Sequence, residues 1–220
     1  MNATAIVPVK RFGAAKRRLA DAIDRRDRPR LLAAMLEDAL NAIGRATCVE
    51  RVILVTGEKR AERVAMQAAQ RLRTPIEVLR EPADHGHSEA ATLGVVRAIA
   101  LGARCAVLLP ADCPLLDAGE LDAALGRAVD GRVGVIPDRH GTGTNGLVLA
   151  PPDAIGPAFG EGSCARHLEL AASRGLRGEA DELPSLALDL DTPDDLAALR
   201  AAVAAEPDRA PRTAAVLAEL

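Results

Sequence analysis

Aromatic side chains are almost missing from this sequence. It has no Trp and no Tyr, and Phe12 and Phe159 are its two phenylalanines among 220 residues. That removes the stacking platforms on which single-stranded nucleic acids are usually held. The core is left to Ala, Leu, Val and Ile, and with 49% of residues hydrophobic there is enough of it to bury. Cysteine is scarce too. Cys48, Cys105, Cys113 and Cys164 show no CxxC spacing, so neither a disulfide framework nor a zinc site is expected. No apolar run approaches the roughly 20 residues of a membrane-spanning helix. The N-terminus lacks the basic, apolar and small-residue order of a signal peptide. The formal net charge of −3 is opposite in sign to the usual footprint of a nucleic-acid binder. The expectation is a cytoplasmic protein with reduced thiols that engages neither nucleic acid nor membrane.

What is present is alternation. Ala5 to Val9, Arg51 to Thr56, Ile76 to Leu79 and Arg104 to Leu109 read as short apolar strands. Between and after them, Pro29 to Ile43, Lys59 to Leu72, Ser88 to Leu101 and Asp117 to Val129 carry apolar residues at helical spacing, with Ser88 as a plausible N-cap. This rhythm predicts an α/β fold with a mostly parallel sheet flanked by helices. After Asp130 the rhythm changes. Val133 to Pro137 and Leu147 to Ala150 look like strands around a Gly/Thr-rich loop. Cys164 to Arg174 looks helical, Leu186 to Leu190 reads as a further strand, and a helix starts at Pro193. Residues 1–204 are expected to form one domain and 205–220 a tail with a short helix.

In open α/β sheets ligands sit beyond the carboxyl ends of the strands, so the residues that follow each strand carry the search. After the first strand stand Lys10, Arg11, Lys16, Arg17 and Arg18, with Gly13 between them. They suit a polyphosphate cradle or, more plainly, a solvated basic helix face. The spacing is neither GxxxxGK[ST] nor GxGxxG. "LPADCPLL" places Asp112 after the fourth strand, where a carboxylate can hold a hard divalent cation, although Asp117 is the better helix cap. "DRHGTGTNGLVL" offers backbone N–H groups, hydroxyls and an amide, and is also acceptable as an ordinary hairpin turn. "FGEGSCARHLELA" is a Gly-Ser loop entering a helix, which suits an anion or simply makes Ser163 a cap; His167 reads as a helix-surface residue. "LDLDTPDDL" sets Asp189 and Asp191 one residue apart, on one face if the segment is a strand. With Asp112 they make three carboxylates, a plausible magnesium site.

These segments, from "VPVKRFGAAKRRL" to "DLDTPDDL", occur in the order and spacing of the CofC/FbiD family, which the chain resembles from about Ile6 to Leu199. The resemblance implies the Rossmann-like nucleotide-diphospho-sugar transferase fold. It implies a guanylyltransferase of deazaflavin coenzyme F-420 biosynthesis, joining GTP to a small phosphorylated acid and releasing pyrophosphate. Asp112, Asp189 and Asp191 would hold Mg2+, Thr144, Gly160 and Ser163 would contact the acid, and Lys10 and Lys16 the triphosphate. The acid is phosphoenolpyruvate, 2-phospho-L-lactate or 3-phospho-D-glycerate in different members; the Ala/Arg-rich composition suggests a GC-rich bacterial source, and the resemblance to bacterial members then implies the first. One departure concerns the base: relatives of the fold often carry an Asn at the start of the helix after the third strand, and "GHSEAATLG" has none. GTP and the acid are the expected partners, and the apolar helix faces leave a homodimer open.

Overall fold

A computed structural model describes residues 3–12, 19, 22–81 and 86–220. Its centre is a seven-stranded sheet in the order β3-β2-β1-β4-β6-β5-β7. The strands are β1 (Ala3–Val9), β2 (Val49–Thr56), β3 (Ile76–Arg80), β4 (Ala106–Leu108), β5 (Arg132–Pro137), β6 (Thr144–Ala150) and β7 (Arg177–Ala180). The helices are α1 (Arg28–Arg45), α2 (Lys59–Ala69), α3 (His87–Ala100), α4 (Ala118–Gly126), α5 (Ser163–Ser173), α6 (Pro193–Ala205) and α7 (Pro211–Leu217). β1 to β4 pair in parallel, β6 pairs antiparallel with both β4 and β5, and β7 runs parallel to β5. Among the described residues β6 therefore runs alone against the other strands. Its first residue, Thr144, stands at the same rim as the carboxyl ends of β1 and β4.

The strands are apolar on both faces because both faces are covered. Ala5, Val7, Val52, Leu54 and Val107 point into the layer of α1, α2 and α4. Ile6, Ile53, Val55, Ala106 and Leu108 point into the layer of α3 and α5. Small residues set the spacing of that second layer. A Cβ on Gly94 of α3 would lie 2.3 Å from Ile6 Cγ2, so only glycine lets the helix approach β1 this closely. A third cluster joins Leu31 and Met35 of α1 to Leu196 and Leu199 of α6 and to Val216 and Leu217 of α7. The last helix is tied to the first through Asp38, whose buried carboxylate accepts from Arg212 N–H (3.3 Å), Thr213 N–H (2.8 Å) and the Thr213 hydroxyl (2.8 Å).

Two expectations change here. Leu186 to Leu190 is not a strand: a 3₁₀ turn at Pro184–Leu186 leads into irregular backbone. Its carbonyls are taken by a side chain and a loop, since Asn145 Nδ2 donates to Leu186 O and Ala187 O, and Arg139 N–H also donates to Ala187 O. β7, in contrast, has a polar sequence, RGEA, that carries no strand signal and pairs at the edge of the sheet. No helix of the described residues is long and apolar enough to cross a membrane.

Candidate active site

The carboxyl rim opens into a cavity of about 680 Å3. Val9 and Lys10 enter it from the end of β1, Asp112 from the loop after β4, and Thr144 and Asn145 from the start of β6. His87, Ser88 and Glu89 of α3, Phe159 and Gly160 of the loop before α5, and Asp189 and Asp191 complete the wall. A second hollow of about 580 Å3 shares Thr144, Asn145, Gly160, Asp189 and Asp191 and extends past Ser163 to the β5–β6 loop. The two hollows meet at the carboxylates.

Each of Asp112, Asp189 and Asp191 offers a carboxylate oxygen, and these oxygens all lie within 4.8 Å of one another. The convergence is built by side-chain hydrogen bonds and not by a strand. Asn145 Nδ2 reaches Asp189 Oδ1 at 3.3 Å while also holding the Leu186 and Ala187 carbonyls. Asp195 Oδ2 accepts from Asp191 N–H (3.0 Å), Thr192 N–H (2.7 Å) and the Thr192 hydroxyl (2.8 Å). The Thr192 side chain in turn accepts from Asp195 N–H, closing a capping box at the start of α6. Burial would raise the Asp195 carboxyl. The Thr192 and Asp191 hydrogen bonds and Arg139, 2.6 Å away, instead hold it below the ordinary range.

The loop before α5 is fixed from several sides. Gly160 and Gly162 have φ of +119° and +69°, the left-handed region where glycine costs least. Phe159 N–H donates to Ser88 Oγ (3.0 Å), and Arg166 reaches the carbonyls of Ala158 (2.8 Å) and Glu161 (2.7 Å). The Phe159 ring lies edge-on between His87 and His167, with centroid distances of 4.8 and 5.3 Å. Cys164 N–H donates to Thr142 O, joining α5 to the β5–β6 loop.

Over residues 3–201 the chain matches the family described as guanylyl transferase CofC like. The chain belongs to that family. It is 45% identical to a phosphoenolpyruvate guanylyltransferase of Conexibacter woesei over 100% of this chain and 97% of that one. It is 39% identical to a 3-phospho-D-glycerate guanylyltransferase of Phenylobacterium zucineum over 99% of this chain and 96% of that one. The fold is shared with a Desulfovibrio desulfuricans protein named for the nucleotide-diphospho-sugar transferases, at TM-score 0.74 and 18% identity over 100% of this chain and 95% of that one. It is shared as well with 4-diphosphocytidyl-2C-methyl-D-erythritol synthase of Anaerococcus prevotii, at TM-score 0.64 and 10% identity over 92% and 96%. The Rossmann-like nucleotide-diphospho-sugar transferase fold expected of the sequence is the one observed.

Of the residues singled out on this family's pattern, Lys10, Asp112, Thr144, Gly160, Asp189 and Asp191 face the larger cavity, and Ser163 lines the adjoining one. Lys16, with Arg17 and Arg18, lies outside the described residues. Ser163 is no cap: Gly162 occupies that position and Ser163 is buried in the first turn of α5. Ser88 is no cap either. Gly86 precedes α3, and the Ser88 hydroxyl instead receives Phe159 N–H. The largest correction is His167, which is fully buried and bonded through both ring nitrogens. The sequence does carry a signal for it. Cys164, His167 and Ala171 follow each other at i, i+3 and i+7, so the imidazole sits on the buried stripe of α5.

Proposed function

We propose that this family member joins GTP to phosphoenolpyruvate and releases pyrophosphate, as a step in coenzyme F-420 biosynthesis. The acid is favoured by the Conexibacter relative, named for it and matched end to end. 3-Phospho-D-glycerate is the second reading, on the Phenylobacterium relative. The observation that carries the reaction class is the pairing of signs at one rim: Lys10 and three converging carboxylates line the same cavity.

A phosphate oxygen of the acid forms a bond to the α-phosphorus of GTP as the bond to the pyrophosphate oxygen breaks. The acid's phosphate is already ionised at neutral pH, so no general base is needed. Such transfers depend on positioning and charge neutralisation. Lys10 and, on the family's pattern, Lys16 offset the charge that grows on the leaving pyrophosphate. Thr144, Gly160 and Ser163 hold the acid. Asp112, Asp189 and Asp191 fit a hard divalent cation, because the donor set is all carboxylate oxygen gathered within one coordination sphere's reach. Mg2+ bound there supplies charge neutralisation and orientation of phosphate oxygens. The guanine, without the Asn common in this fold, is left to the start of α3, where His87, Ser88 and Glu89 line the cavity.

The test is pyrophosphate release from GTP with phosphoenolpyruvate, 2-phospho-L-lactate and 3-phospho-D-glycerate in parallel. Release with phosphoenolpyruvate at the highest kcat/KM is expected. Saturable GTP binding without release for any acid would instead make the protein a non-catalytic nucleotide-binding module, and transfer of a different nucleotide would make it another nucleotidyltransferase of the fold.

A further inference from the structure

His167 has no part in the chemistry just described, yet it is fully buried and its two nitrogens have different partners. Ala158 N–H points at Nε2, 2.9 Å away. A backbone N–H can only donate, so Nε2 carries no proton. A neutral ring with a bare Nε2 must carry its proton on Nδ1. Nδ1 lies 3.0 Å from Thr144 Oγ1, so the ring donates and the hydroxyl oxygen accepts. Burial supports the neutral ring by pushing the imidazole down to about 4. The surroundings of the donor are held too: Arg166 takes the Ala158 carbonyl of the next peptide, and Phe159 packs edge-on against the ring.

The consequence falls on Thr144. A hydroxyl has one hydrogen and two lone pairs. With the oxygen already accepting from His167, the hydrogen is turned away from the ring, and Thr144 stands on the wall that both hollows share. We propose that His167 is a positioning residue that fixes the Thr144 hydroxyl as a donor into the cavity, selecting an acceptor-only oxygen of the phosphorylated acid at that point. This rests on the preceding reading, in which Thr144 contacts the acid. An N–H donating to the hydroxyl also polarises it and strengthens the bond it makes onward.

Two measurements test the assignment. The first needs no turnover: 15N spectra of the imidazole at neutral pH should show His167 neutral and protonated at Nδ1, and an Nε2-protonated or cationic ring would overturn the proposal. The second is a double-mutant cycle on KM for the acid. Thr144→Val should raise that KM roughly tenfold to a hundredfold, with KM for GTP unchanged. His167→Leu should do the same alone and add nothing in the Thr144→Val background. His167→Asn, whose amide nitrogen takes the place of Nδ1, should recover part of the loss. If His167→Leu raises KM as much in the Thr144→Val background as in the wild type, the histidine is merely structural and the proposal is wrong. A wild-type protein inactive with every acid would count against the functional reading, and the spectrum would still decide the tautomer.

Discussion

Two groups of charge in this protein are built on opposite plans. Across β5 and β7, Arg132 pairs with Asp181 at 2.6 Å and Glu179 at 3.1 Å, Arg127 also reaches Asp181, and Arg177 reaches Glu179. Signs alternate, and the central pair is sealed, with side-chain exposures of 3% and 6%. Gly134 makes the space: a Cβ there would lie 2.4 Å from Asp181 Oδ2. At the rim, Asp112, Asp189 and Asp191 gather charge of one sign within 4.8 Å. Two like charges at that separation repel by roughly 3–4 kcal/mol at an effective dielectric of ~20. A fold that balances charge at one place and concentrates it at another uses the two differently. The first group serves the fold; the second, on the function proposed above, is the one whose repulsion a bound cation would relieve.

Substitutions can break this contrast. Asp112→Asn should lower turnover on the order of 10²–10³-fold while leaving stability without divalent cation equal or higher. Mg2+ should raise the melting temperature of the wild type and not of this variant. An active Asp112→Asn protein would remove the functional half of the contrast. Arg132→Ala should cost about 3–5 kcal/mol in denaturant unfolding, because buried Asp181 loses its shortest partner and keeps only Arg127, with KM for both substrates unchanged. A stable variant would remove the structural half. A smaller effect belongs to His167, which is buried without charge. Its folded pKa of about 4 lies below the ordinary 6.5, so its contribution is present above pH 6.5 and is lost as pH falls toward 4. That loss is about 3 kcal/mol. Unfolding curves of wild type and His167→Asn should diverge above pH 6.5 and converge near pH 4; parallel curves would refute it.

The legible parts of the sequence are those whose cause is local. Buried parallel strands are unbroken apolar runs, so β1, β2 and β4 are visible in the text, and Pro29 and Pro193 mark helix starts. The carboxylates are legible for a less direct reason. The spacing of Asp189 and Asp191 suggests one face of a strand, and they converge instead because Asn145 and Asp195 hold the irregular chain around them. A side-chain amide taking two carbonyls 41 and 42 residues away leaves no pattern in one dimension. β7 is hidden because an edge strand can be polar. His167 is hidden because a lone histidine on a helix is usually solvent-facing, and the argument for burial needs the stripe it shares with Cys164 and Ala171.

The carboxylate of Asp38 receives Thr213 N–H across a sequence separation of 175 residues. At a ribosomal pace of about 5–20 residues per second, helix α1 waits on the order of ten to thirty seconds for its last partner to be made. Through that interval the side of α1 bearing Leu31 and Met35 lacks the Val216 and Leu217 that finally cover it. The sheet and its first helices can collapse earlier, from contacts closer in sequence. Docking of α7 can therefore come only after the sheet strands and α6 have been made, and it completes a cover for α1 that Leu115, Leu196 and Leu199 begin.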